Sequence, residues 1–500
     1  MTSIASAVRP AHTVTRSVAV RLVQGSAIYG LANFSLKGLN FALILLYTRF
    51  LRPADYGTIA LAETVAMVLA TVSALGLDSA IRRLYFQYSD TPGVRSEYLG
   101  TMFGFGSLAT LSMIALAFGL GPWLLPLLGP RVAVPFYPYI ALAVGAAGAS
   151  QLLDYRLGLY QTEGRAKAYA LLTGASFLAT ASAVIALVVV TRHGAAGMLA
   201  GKLISAVIFA CIAVHLLWPW LRRGFDWHFV RETLPLALPL VPHQFMALGL
   251  VVADRFILQR YRDLGEVGVY SLAYTLGMAM YLVTSSVMQA WSPLFFESAA
   301  REQGGLLCQL STRLVVFLSS VAVVGILAAE TFVNWFVSPQ YRAAGKLVPI
   351  IIASYLLHAL FSLFQLWVLQ GKRTALIWAV SGTSLAANLA LNFALIPRWG
   401  AQGAAYATLA AYGVEAMLIY VYARRVYRVD FSPRATVAAM AICGLALAVS
   451  QAGWGNWRAW VFLASFAGLQ SMLWRVAGMT RSDAAQFFRQ FRFRTDGNVV

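Results

Sequence analysis

Residues 47–57 read YTRFLRPADYG. This short polar stretch interrupts two long apolar runs, about 26–48 and 58–81. Arg49, Arg52 and Asp55 are costly in hydrocarbon, and Pro53 has no backbone N–H to donate, so one helix must end here and another begin. A helix needs roughly 20 apolar residues to cross a ~30 Å hydrocarbon core, and both runs supply them. The same grammar recurs along the whole chain. Fourteen runs follow one another, at about 26–48, 58–81, 98–118, 134–153, 169–191, 196–217, 233–254, 267–290, 312–330, 347–369, 376–396, 401–422, 436–453 and 458–475. The breaks between them carry turn or charge residues, as at Arg192-His193-Gly194, Gly371-Lys372-Arg373 and Pro397-Arg398-Trp399-Gly400. No run alternates with period 2, which argues against a β-barrel. The expected fold is an all-α polytopic membrane protein with about 14 transmembrane helices.

Composition agrees. Hydrophobic residues make up 60 % of the 500 and charged residues 11 %, where a soluble domain has about 45–50 % and about 25 %. The mean hydropathy is +0.70. The net charge of +19 would suggest nucleic acid in a soluble protein. No soluble basic module is present to carry that role, so the charge reads as loop residues beside anionic lipid. Cys211, Cys308 and Cys443 are scattered with no CxxC spacing and read as small core residues, with no disulfide framework, metal site or cofactor. Residues 1–25 carry Arg9, Arg16 and Arg21 before an apolar run too long for a signal-peptide core.

Basic residues in the loops set the expected orientation. With the N-terminus in the cytoplasm, 25 Lys and Arg face inward and 11 outward, while Lys37 and Lys202 lie inside spans. Both termini are then expected in the cytoplasm. The tail Phe487-Phe488-Arg489-Gln490-Phe491-Arg492-Phe493-Arg494 reads either as an interfacial anchor or as a disordered basic segment.

The chain also repeats itself at an offset of about 206 residues. Thr48-Arg49-Phe50 matches Asp254-Arg255-Phe256, Gly164-Arg165 matches Gly371-Lys372, and Gly194-Ala195-Ala196-Gly197 matches Gly400-Ala401-Gln402-Gly403. Six spans per repeat is an even number, so the halves share one orientation, as in parallel-repeat transporters. The expected layout is a cytoplasmic segment 1–25, an N-lobe 26–222, a C-lobe 223–425, two extra spans within 426–476, and a basic-aromatic tail 477–500. The two six-helix lobes are pseudo-symmetric.

The stretches YTRFLRPADYG (47–57), LGLDSAIRRLYF (75–86), LPLALPLVP (234–242), ADRFILQRY (253–261), GEVGVYSLAY (265–274) and NLALNFALIPRWGAQGAAYAT (388–408) resemble the polysaccharide-transporter family. This is the group of lipid-linked oligosaccharide, O-antigen-type repeat-unit flippases within the multidrug/oligosaccharidyl-lipid/polysaccharide exporter superfamily. The resemblance covers about residues 20–425 and rests on helix-end and glycine patterns, with no catalytic signature. It implies two lobes around a central cavity, alternating access, and a polyprenyl-diphosphate-linked glycan moved from the inner to the outer leaflet. The implied partners are that lipid-linked oligosaccharide, membrane lipids and other polysaccharide-assembly proteins.

Ionisable groups at bilayer depth are costly and are therefore functional candidates. Lys37 lies twelve residues, ~18 Å, before the end of its span at Arg49, near the midplane. The repeat offset carries it onto His243, so each lobe places a potentially cationic group at one depth. A cavity accepting a diphosphate needs such groups; the bland reading is that Lys37 pairs with a carboxylate such as Glu63. Glu63 itself is either a coupling group or a counter-ion. Asp254, Arg255 and Arg49 sit at helix ends, suited to glycan or phosphate release at an outer mouth or simply to snorkelling. Lys202, Glu415 and His358 are also intramembrane by sequence; Lys202 and Glu415 read as groups that only bind helices together, and Asp78 with Arg82 as an i,i+4 structural pair. Pro235, Pro239 and Pro242 predict a bent seventh span.

Two other functions stay open: a cation-coupled drug or metabolite exporter of the same superfamily, and a membrane-embedded glycan polymerase or glycosyltransferase. The first predicts a cavity dominated by carboxylates. The second usually brings a large loop or soluble domain, and the longest break here has only about twenty residues. No GxxxxGK[ST] phosphate loop is present, so the chain carries no nucleotide site of that kind.

Overall fold

The computed structural model describes residues 35–36, 38–88, 91–124, 134–221, 224–301, 304–426, 433–452, 466–468 and 471. Their regular structure is entirely helical. In chain order the helices are α1 (Gly38–Tyr47), α2 (Pro53–Ala74), α3 (Leu77–Gln87), α4 (Pro92–Leu124), α5 (Ala141–Thr162), α6 (Ala166–Ile185), α7 (Gly194–Leu221), α8 (Trp227–Ala237), α9 (Val241–Tyr261), α10 (Leu264–Ala300), α11 (Gly304–Phe336), α12 (Ala344–Gln370), α13 (Thr374–Val426) and α14 (Pro433–Gln451). Among the described residues, nine helices are long and apolar enough to cross a bilayer, counting α2 with α3 and all of α13 as one each. The protein is an all-α polytopic membrane protein. The run at 458–475, the N-terminal segment 1–25 and the tail 477–500 lie wholly or mostly outside the described residues.

Local chemistry explains where the helices break. Pro53 opens α2, and Arg52 N–H donates to Asp55 Oδ2 at 3.0 Å, closing the first turn. Leu75 and Gly76 adopt left-handed φ of 50° and 68° and separate α2 from α3, a conformation that Gly76 takes without a Cβ clash. The proline-rich run near 233–254 is not one straight helix. Pro235 lies inside α8, a 3₁₀ turn covers Leu238–Leu240, and α9 resumes at Val241. Helix α13 merges two spans, broken at Gly400 with φ 54° and ψ −131°.

The chain divides into two compact units, Met1–Leu248 and Gly249–Val500, with the dividing point inside α9. In the first unit, α8 packs on α3 and α4 through Phe229, whose ring meets Tyr88 and Tyr98. Glu232 on α8 accepts from the Tyr88 hydroxyl at 2.5 Å and from Gln87 Nε2 at 3.3 Å. In the second unit α12 is the central helix, packed against α10, α11 and α13. Of its most apolar window 83 % is buried, against 17 % for the span containing α6. Both helices are apolar all round, and this contrast shows which one the protein encloses. Helix α6 leaves Leu171 and Leu178 exposed, with Val190 in the turn that follows it, and these are surfaces that lipid would cover.

Candidate functional site: charged side chains at bilayer depth

In the first unit, Glu63 of α2 and Lys202 of α7 are hydrogen-bonded as an ion pair. Glu63 lies ten residues past Pro53, about 15 Å along its helix, and Lys202 eight residues past Gly194, about 12 Å along its own. Both are well inside a ~30 Å hydrocarbon layer. The pair is not sealed: 32 % of the Lys202 side chain and 39 % of the Glu63 side chain are exposed. Lys202 shares its helix face with the buried Phe209 and Ala213, opposite the exposed Ile204, Ile208 and Cys211. The opening is therefore on the inner side of α7.

The second unit holds two closed polar clusters. Asp254 is 1 % exposed; its carboxylate accepts from Tyr270 Oη and lies 3.4 Å from Arg255 Nη1. The Arg255 guanidinium also donates to the Val251 carbonyl and lies over the Tyr274 ring, 4.7 Å from its centre. The second cluster joins α12 to α13: His358 Nδ1 lies 3.1 Å from Glu415 Oε2, and the His358 ring stacks on Phe361. Nearby in sequence, the buried Asn388 and Asn392 bond to each other at 2.9 Å. Among the described residues, no three or more His, Cys, Asp and Glu side chains gather as a metal site requires.

The sequence candidates fall as follows. Lys37 lies outside the described residues. His243 lies in α9, in the first turn. Arg49 is exposed, in the turn between α1 and α2. Arg255, its partner in the repeat, is instead drawn with Asp254 into the interior of the second unit. Glu63 has Lys202 as its partner. The repeat is visible in the glycines: Gly194 and Gly400 both take left-handed φ, 57° and 54°. Each faces a carboxylate from the start of an earlier helix, Asp55 beside Gly194 and Glu266 beside Gly400. What sequence reading missed is the Glu63–Lys202 pairing and the tyrosines around Arg255. The only available signal was that Lys202 is a cation inside a span.

Two solved structures share the fold. A structure described as "Lipid II flippase MurJ, inward closed conformation" superposes with a TM-score of 0.69 at 14 % identity, covering 93 % of this chain and 100 % of that one. An inward-facing multidrug resistance MATE family transporter of the MOP superfamily gives 0.64 at 11 % identity, covering 81 % of this chain and 99 % of that one. The chain shares the fold of these two structures. Residues 22–299 match the family model described as "Polysaccharide biosynthesis protein", and the chain belongs to that family. A comparison with curated proteins finds no match.

Proposed function

We propose that the protein is a flippase that moves a polyprenyl-diphosphate-linked oligosaccharide from the inner to the outer leaflet of a bacterial inner membrane. It works by alternating access, serves cell-surface polysaccharide assembly, and is not an enzyme. The observation that carries this reading is membership of the polysaccharide biosynthesis family over residues 22–299, on a fold shared with a lipid II flippase. Net charge supports it, since a chain at +19 suits an anionic headgroup. Lys37 and His243 are the proposed mid-membrane contacts to the diphosphate, and Arg49 the contact at the outer mouth. Asp254 and Arg255, closed around Tyr270 and Tyr274, reach cargo only if that end of α9 opens. Both termini are cytoplasmic in this reading.

A cation-coupled exporter of small molecules is the second reading. The MATE superposition and the buried carboxylates Asp254 and Glu415 favour it. Deletion of the gene separates the two. The flippase reading expects a lipid-linked glycan to accumulate on the inner leaflet, cleared by the restored gene. No accumulation, together with raised sensitivity to a cationic drug, would move the assignment to the second reading.

A further inference from the structure

The ion pairs inside the spans are not alike. Asp254–Arg255 is closed, with 0 % of the carboxylate side chain and 11 % of the guanidinium side chain exposed. His358–Glu415 is nearly so, at 24 % and 3 %. Glu63–Lys202 leaves about a third of each side chain open, on the inner side of α7. A pair that only fastens two helices needs no open side, and a sealed pair escapes screening by water. An open pair in the middle of a span has kept room for something else.

We infer that Lys202 is a cargo-binding residue of the first unit, contacting a phosphate oxygen of the lipid-linked headgroup, and that Glu63 is its positioning residue. This rests on the flippase reading and adds a residue to it. An ammonium has three N–H donors, and Glu63 takes one. Among the described residues no other partner takes the remaining two, and a phosphate on the open side could accept from them. Glu63 answers a second need. A lone cation at this depth is costly when no anion is near, so the transporter without cargo requires a resident counter-ion. The carboxylate supplies it and fixes the ammonium. When a headgroup with two negative phosphates arrives, the ammonium bridges carboxylate and phosphate without leaving its place. A neutral sugar or a lipid alcohol gains nothing from it, so Lys202 selects for the charged linkage and not for the glycan.

The test uses the full chain in nanodiscs with two probes, a polyprenyl diphosphate bearing one hexosamine and the same polyprenol without phosphate. Lys202→Gln should weaken diphosphate binding by about ten-fold or more, the loss of one charge-assisted hydrogen bond, and leave polyprenol binding unchanged. Glu63→Gln keeps an acceptor for the ammonium but removes the negative charge that competes with the phosphate, and should tighten diphosphate binding. The Glu63→Gln/Lys202→Gln double variant, which preserves a hydrogen bond between α2 and α7, should bind as weakly as Lys202→Gln. A helix clamp predicts the opposite pattern: equal losses from either single change, or full binding by the double variant, and either result overturns the inference. Failure of the flippase reading is distinguished by the wild type itself, which would then show no preference for the diphosphate over the polyprenol.

Discussion

Glu266 accepts a hydrogen bond from the backbone N–H of Ala401 at 2.6 Å, and so holds the break in the middle of α13. The glutamate stands in the first turn of α10, 135 residues earlier, and Arg262 next to it donates to the carbonyls of Pro397 and Arg398 at 3.3 and 3.4 Å. The freed N–H and C=O groups at a helix break must find partners, and in a membrane protein water is scarce. These two side chains supply them. Asp55 stands beside Gly194 in the other repeat and also closes the first turn of α2.

Gly400→Ala should therefore be damaging. Its φ of 54° with ψ −131° suits glycine alone, and a Cβ there would overlap Glu266 Oε1. A loss on the order of 1–3 kcal/mol is expected, read as a lower unfolding temperature in detergent. Gly194→Ala meets Asp55 only at ordinary contact distance and should cost about 1–2 kcal/mol at most. Equal midpoints for Gly400→Ala and wild type would refute the clamp.

Asp254→Ala should be among the most destabilising changes in the second unit. It strips the carboxylate from Arg255, which is 9 % exposed, and removing one partner of a buried pair costs about 3–5 kcal/mol. Changing both, Asp254→Ala with Arg255→Met, should recover much of that loss. A double variant no more stable than the single one would mean that Tyr274 and the Val251 carbonyl compensate Arg255 on their own.

Loop charge gives an orientation that labelling can check. In a chain freed of Cys211, Cys308 and Cys443, cysteines are placed at Arg260 and Arg425, both exposed. A membrane-impermeant maleimide added to whole cells should modify the first and not the second. Labelling of both from one side, or the reverse pattern, would break the cytoplasmic assignment of the termini.

Lys37→Ala should abolish or strongly reduce export at near-normal protein level, and Lys37→Arg should keep part of it, since charge persists while geometry changes. Because Glu63 is held by Lys202, removing Glu63 as well should not rescue Lys37→Ala. Restored export in the Lys37→Ala/Glu63→Ala variant would show that Lys37 serves only to neutralise that carboxylate.

The chain alone determined the class of fold. Apolar length, the prolines and glycines that punctuate it, and the 206-residue offset that sets Gly194 against Gly400 are local or periodic properties, and they survive without any knowledge of packing. The same holds for the presence of charge in the spans: Lys202, Glu63 and Asp254 are legible as ionisable groups among apolar neighbours. Their partners are not. Glu63 meets Lys202 across 139 positions, and His358 meets Glu415 across 57. Helices that are apolar all round carry no stripe to say which face meets protein and which meets lipid. Arg49 and Arg255 occupy matching places in the repeat, yet one is exposed and the other is closed over Tyr274. That difference arises because Asp254 and Tyr274 meet the second arginine, while Thr48 stands where Asp254 would be in the first repeat. Tertiary packing alone decided which charges are sealed into the protein and which are left open to a ligand.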